Sequence, residues 1–319
     1  MNDEEFSMEY YELTNGIKIP VIGMGTGWMN TAYSSTKYLI KRRLREFKQK
    51  VNGSYSSENN YTVDYELKKY RKFVPAIVES HKLGYELYDT AYSYNNCELM
   101  GNALELPRNR KDIFIISKCA NSAQRSGKIR EEFEDTLKDL HTDYIDLYLI
   151  HWPQTGTFVE TWKIMEDLYD KGRVKSIGVS NFHIHHLEEL KMNCEIMPMV
   201  DELECNPLLQ QNEIREYCKK EGIQLIAHTP TGKMRSKIRT SVLADIAVTH
   251  NKSIAQIILR WHYQLGDISI CNSLNKEHMS ENLNIFDFEL SNEEMGKIKG
   301  MDCDFRIWPN PDNCDFTKL

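Results

Sequence analysis

YIDLYLIHW, residues 144–152, is apolar apart from Asp146 and closes on a histidine and a tryptophan. A strand with one wet face alternates polar and apolar residues; an almost unbroken apolar run implies burial on both faces, as in parallel strands covered by helices. Seven further short runs share this character: VIGMGT (21–26), YELYDTA (85–91), IFIISKC (113–119), VKSIGVSN (174–181), MPMVDELECN (197–206), IQLIAHTP (223–230) and ISICNSL (268–274). Amphipathic stretches such as SGKIREEFEDTLKDL (126–140) and ETWKIMEDLYDKG (160–172) separate them, the second closing on a helix-stopping glycine. Eight strand–helix units fit a closed (β/α)8 barrel, which needs about 250 residues. An open doubly wound sheet competes, but GMGTGW (23–28) is not GxGxxG and opens no helix.

Two features flank the repeat. YYELTNGIKIP (10–20) pairs two short strand patterns across Asn15-Gly16, a hairpin signal, and such a hairpin would plug the lower end of the barrel. Thr26 to Asp89 covers 63 positions, whereas Asp89 to Lys118 covers 29. We therefore expect an insertion at 28–75 that enlarges the first βα loop of a single barrel domain spanning 1–319. It includes the polar NGSYSSENN (52–60) and the basic KYLIKRRLREFKQK (37–50), whose helical spacing of Ile40, Leu44 and Phe47 reads as a short helix with a solvated basic face.

Composition limits the function classes. A net charge of −7 argues against nucleic acid or an anionic membrane as the main partner, and an acidic start with no long apolar run argues against export, so a cytoplasmic protein is expected. The eight cysteines have no metal-like spacing and read as reduced thiols, with Cys119 as packing. HIHH (183–186) reads as an exposed helix start without a carboxylate or cysteine at ligand spacing, and no metal is expected.

Ionisable residues gather where strands end. The carboxyl ends of barrel strands open on one face, which carries the site in characterised barrels. Asp89, Lys118 and His151 sit at three successive strand ends, and Tyr94 follows Asp89 by five residues. A lysine beside a phenol favours the phenolate and is expected to lower its pKa, making Tyr94 a proton donor; Asp89 would hold the lysine and His151 orient a carbonyl oxygen. Tyr92 is the weaker alternative donor.

GYELYDTAYSYNN (84–96), FIISK (114–118), YLIHWP (148–153), SIGVSNF (176–182) and VDELECNPLLQQ (200–211), in this order, resemble the aldo-keto reductases from about residue 11 to 290. The resemblance implies NADP(H) or NAD(H) bound without a Rossmann motif, and hydride transfer between carbonyl and alcohol. It implies Asp89, Tyr94, Lys118 and His151 as the catalytic tetrad, and Ser180 and Asn181 as ligands of the nicotinamide carboxamide. Where the family has Asn-Gln this chain has Asp201 and Glu202; Glu202 can accept from the carboxamide but adds negative charge. His228 in AHTPTG (227–232) replaces the stacking tyrosine, and Thr229, Thr231 and Gly232 match the pyrophosphate loop.

At the adenosine end, CNSLNKEHMSEN (271–282) puts Asn272 and His278 in place of a lysine and an arginine that read a 2′-phosphate. Ser273, Glu281 and Asn282 match the remaining contacts, with Lys233, Arg235 and Lys276 as candidate compensating cations, so the choice between NADP and NAD stays open. Trp28, Trp152 and Trp308 are expected pocket walls, suited to a small or medium carbonyl substrate. The alternative reading is a nucleotide-binding regulatory or scaffolding subunit of the same fold, motivated by the altered cofactor residues.

Overall fold

The computed structural model describes residues 8–27 and 72–318. Trp28, the basic stretch and nearly all of the expected insertion lie outside the described residues.

Among the described residues there are ten strands: β1 (Tyr10–Glu12), β2 (Lys18–Pro20), β3 (Ile22–Gly25), β4 (Leu87–Asp89), β5 (Phe114–Cys119), β6 (Ile145–Ile150), β7 (Val174–Ser180), β8 (Val200–Glu204), β9 (Gln224–His228) and β10 (Ile268–Cys271). The last eight close a barrel in the order β10-β3-β4-β5-β6-β7-β8-β9, every pair parallel. Each coincides with one of the eight apolar runs, trimmed at its ends. The trimming has a physical cause, because the chain leaves the hydrogen-bonded ladder at the barrel mouth while its residues stay buried.

Alternation sorts the side chains into two cores. Leu87, Ile116, Leu147, Leu149, Val200, Ile226 and Ile270 fill the barrel; Leu13 and Ile19, from the β1–β2 hairpin, complete the same cluster from below. The hairpin turns at Gly16, at φ +82°, so the expected plug is present. Residues of opposite parity, among them Ile115, Tyr148, Ile177 and Leu203, face the surrounding helices. The helix Ile129–Leu140 buries Ile129, Phe133, Leu137 and Leu140, an i, i+4, i+8, i+11 stripe, and ends at His141 in the left-handed conformation. The helix Phe158–Asp170 stops before Gly172 at φ +67°. All eight cysteines are free, and no helix among the described residues is long and apolar enough to cross a membrane.

Candidate active site

Three strand ends and a short turn build the floor. Asp89 closes β4, Lys118 is the penultimate residue of β5, His151 follows β6, and Tyr94 ends the 3-10 turn Tyr92–Tyr94. Lys118 is buried and bonds through Nζ to Asp89. The Tyr94 and His151 rings meet edge to face, centroids 5.6 Å apart, and Lys118 Nζ lies 5.6 Å from the Tyr94 ring centre. Ser93 Oγ sits 3.4 Å from His151 Nδ1. Asp89, Tyr94, Lys118 and His151 therefore converge on one spot. Tyr92, two residues away, has its phenol raised by burial and then by the carboxylates Glu132, Asp135 and Asp139, so it faces a different set of charges.

Sequence reasoning missed that Glu202, from the opposite wall, reaches the same lysine, with Oε2 3.2 Å from Nζ as an ion pair without hydrogen-bond alignment. Burial opposes charge on Lys118, but Asp89 and Glu202 outweigh it and hold the ammonium above its ordinary range. The expectation of a lowered Tyr94 pKa fails. Burial raises the phenol most, Lys118 pulls it back, and Asp89 and Glu202 raise it again, leaving it well above the usual tyrosine value. His151 is kept neutral by burial, then by Lys118 and His228.

One glycine makes room for the phenol. A Cβ at Gly27 would stand 2.9 Å from Tyr94 Cζ and 3.1 Å from its hydroxyl. Gly27→Ala is expected to push the Tyr94 ring aside and lower turnover by about tenfold or more, since small misplacements at a reacting centre are costly. Near-normal turnover with an unshifted ring in a crystal structure would contradict this.

The residues implied for cofactor contact follow the strand ends from β7 to β10. Ser180 Oγ donates to the Glu202 carbonyl (2.9 Å). Asn181, left-handed at φ +63°, donates through Nδ2 to the His151 carbonyl (3.0 Å), and its Oδ1 lies 3.2 Å from His228 Nε2. His228 closes β9; burial and the cations Lys118 and Lys233 bring its pKa down to about 3, so the ring is neutral. Thr229 stands at φ +56°, strained for a β-branched residue, and its Oγ1 accepts from Trp308 Nε1 at 2.9 Å. Thr231 and Gly232 continue the loop, where a Cβ on Gly232 would meet Ile238 Cγ1 at 2.6 Å. Lys233 lies 3.9 Å over the Trp308 ring, and Glu204 accepts from the Ile307 and Trp308 amides at 2.8 and 2.9 Å, fixing the tail. That anchor was not foreseen. Trp152 is buried against Phe316, so it backs the pocket from the tail side, while Trp308 is 41% exposed at the rim.

The adenosine-end residues are less gathered. Asn272, His278 and Glu281 are exposed and Ser273 is half-buried. The Asn272 amide nitrogen, in the orientation that satisfies both amide atoms, donates to the Gly25 carbonyl (2.8 Å). Asn282 is buried, the Tyr85 phenol near it donates to the Met279 carbonyl (3.1 Å), and Lys276 pairs with Glu79 at 2.6 Å. A cavity of about 490 Å³ lies beside this region, lined by Lys72, Glu79, Leu274 and Lys276 among others. Glu202 Oε2, paired with Lys118 but without a hydrogen bond, stands at one end of this row of strand ends and the cavity beside Leu274 at the other, so the polar groups between them could hold an extended dinucleotide.

One reading needs correction. HIHH is not simply exposed: His186 is buried, its Nδ1 accepting from the His183 amide (3.0 Å), and the missing carboxylate arrives from the tail, with His183 Nδ1 2.8 Å from Asp312. Asp201 is fully buried and, one residue out of phase with Glu202, faces the helices rather than the mouth. Cys119 lies in the outer core and burial keeps its thiol protonated.

Comparison with known proteins gives a consistent assignment. The Aldo/keto reductase family model matches residues 51–302. Glyoxal reductase of Bacillus subtilis is 46% identical over 236 residues, covering 74% of this chain and 85% of that protein. Methylglyoxal reductase DkgA of Escherichia coli O157:H7 is 37% identical over 243 residues, covering 75% and 88%. Among solved structures, an aldo-keto reductase from a Medee basin deep-sea metagenome library superposes with a TM-score of 0.78 at 33% identity, covering 96% of this chain and 99% of that one. An aldo-keto reductase complexed with NADPH superposes with a TM-score of 0.77 at 26% identity, covering 95% and 90%. The chain belongs to the aldo/keto reductase family and is an oxidoreductase of the aldo-keto reductase type.

Proposed function

We propose that this protein reduces small aldehydes or ketones to alcohols with a nicotinamide dinucleotide, using Tyr94 as the proton donor. The convergence of Asp89, Tyr94, Lys118 and His151 carries this reading. The names of the relatives favour a 1,2-dicarbonyl such as glyoxal or methylglyoxal as first substrate to try.

When bound, the dinucleotide supplies the hydride to the carbonyl carbon. Tyr94 hands its proton to the oxygen as negative charge develops there; its high pKa keeps the proton in place beforehand, and an alkoxide is the stronger base. Lys118 steadies the phenolate that remains, and Asp89 holds Lys118. His151 is neutral; with the Ser93 hydroxyl donating to Nδ1, its Nε2–H faces the carbonyl oxygen. Ser180, Asn181 and Glu202 would hold the carboxamide, His228 would pack on the ring, Thr229, Thr231 and Gly232 would flank the pyrophosphate, and Ser273, His278, Glu281 and Asn282 would border the adenosine, with Asn272 at its edge. Trp152 and Trp308 wall the substrate.

The test is consumption of NADPH or NADH, followed at the reduced-nicotinamide absorbance band, with glyoxal, methylglyoxal and a panel of aldehydes, ketones and sugars. Absence of turnover across the panel, with nucleotide binding intact, would favour a scaffolding role. The adenosine end yields a second prediction: with Asn272 and His278 where cations would read a 2′-phosphate, Asn272→Lys with His278→Arg should raise the NADP/NAD affinity ratio by about 10- to 100-fold, or about 1–3 kcal/mol. Titration calorimetry of both nucleotides checks it, and an unmoved ratio would place the 2′ position elsewhere.

A further inference from the structure

Two carboxylates and one ammonium share the barrel floor. Asp89 from β4 and Glu202 from β8 approach Lys118 Nζ from opposite walls, and all three are buried. Glu202 also acts on the Tyr94 phenol and on the neighbouring Asp201 carboxyl, its carbonyl accepts from Ser180 and Asn181, and the mouth histidines His151 and His228 sense the same lysine. Burial leaves both histidines neutral, with Lys118 adding to the effect. The floor thus carries one negative charge when both carboxylates are ionised and none when Glu202 holds a proton. Every unit of charge that Lys118 shares with Glu202 is withheld from the Tyr94 phenolate.

We propose that Glu202 is a positioning residue for the reduction: it loosens the hold of Lys118 on the Tyr94 phenolate and gives the floor a removable negative charge that favours the cationic oxidised nicotinamide over the neutral reduced one. The inference rests on the function proposed above. Burial first and Asp89 second push the Glu202 carboxyl up to about 8 against the pull of Lys118, so the charge comes and goes within a usable pH range. A glutamine here would fill the same space without titrating. The ion pair Asp89–Lys118 would then stand alone and balanced.

The test compares wild type with Glu202→Gln, which keeps shape and removes the charge. Dissociation constants for the reduced and oxidised forms of one dinucleotide are measured by protein fluorescence from pH 6 to 9.5. In wild type the oxidised form should gain about tenfold over the reduced form as pH rises through 8, whereas in Glu202→Gln the ratio should stay flat. In turnover, the alkaline limb of the kcat/KM profile should move to lower pH by about one unit in Glu202→Gln, and Glu202→Asp should restore the wild-type position. Identical affinity ratios in wild type and Glu202→Gln at every pH overturn the inference whether or not turnover is found. If the protein binds dinucleotide and consumes none, the reduction fails while the ratio still decides on Glu202. Should no dinucleotide bind, the difference in urea stability between Glu202→Gln and wild type, followed from pH 5 to 9, is the deciding measurement. A carboxyl raised on folding makes that difference grow with pH, and a flat line overturns the inference.

Discussion

Tyr94→Phe is expected to lower the rate of the chemical step by a factor of about 10² or more and to leave dinucleotide affinity nearly unchanged. The substitution removes one oxygen and little else. The ring keeps its edge contact with His151 and its place against Gly27, so the barrel mouth has no reason to rearrange. What disappears is the phenolic hydroxyl on the floor, whose oxygen faces the Lys118 charge. On the proposed mechanism the developing alkoxide would then be left with the His151 N–H alone, and its proton would have to come from water. Single-turnover kinetics with excess enzyme, beside nucleotide titration, separates the two effects. Turnover retained with weakened nucleotide binding would remove Tyr94 from the donor role.

The barrel was legible because each buried strand announces itself as an apolar run and the intervals between runs are filled by helical stripes. The strand-end polar residues stood out for the same reason: Asp89, Lys118 and His151 close runs that are otherwise largely apolar, and the structure brings them together at the barrel mouth. What the chain order hid was pairing across the barrel. Glu202 meets Lys118 from three strands away in the barrel order, and no spacing along the sequence brings them together. The direction of the Tyr94 pKa was misjudged first because the phenol is fully buried, which raises it most, and then because two carboxylates rather than one divide the lysine. Asp312 beside His183 and Glu204 beneath the Trp308 amide are likewise contacts of a returning tail, invisible to local reading. Asp201 is different. Strand parity alone, with Val200, Glu202 and Glu204 on one side, places it on the helix face, and that signal was available.

The position of Asp201 carries the second large effect. Its carboxylate is fully buried and, among the described residues, neither oxygen finds a hydrogen bond of good geometry; burial drives its pKa well above the usual range, Glu202 adds to the rise, and the nearby Phe182 amide draws it back only in part. A carboxyl raised on folding binds its proton more tightly in the native state than in the unfolded chain, where it ionises near pH 4. Native stability therefore falls as pH rises from there, by up to about 1.4 kcal/mol per pH unit for one proton, until the native carboxyl itself ionises. An asparagine at this position would have the same shape and no proton to lose. We expect Asp201→Asn to match wild type near pH 4 and to exceed it by about 1–3 kcal/mol at neutral pH, with the gap widening between. Because the side chain faces the helices, where it raises the pKa of the Cys218 thiol after burial has done so, the gain should come without loss of nucleotide affinity. Urea midpoints of the two proteins at pH 5, 7 and 8.5 test the argument: a constant difference would mean that Asp201 is not the titrating group, and a variant less stable at pH 7 would mean that the carboxylate has a partner which the amide cannot keep.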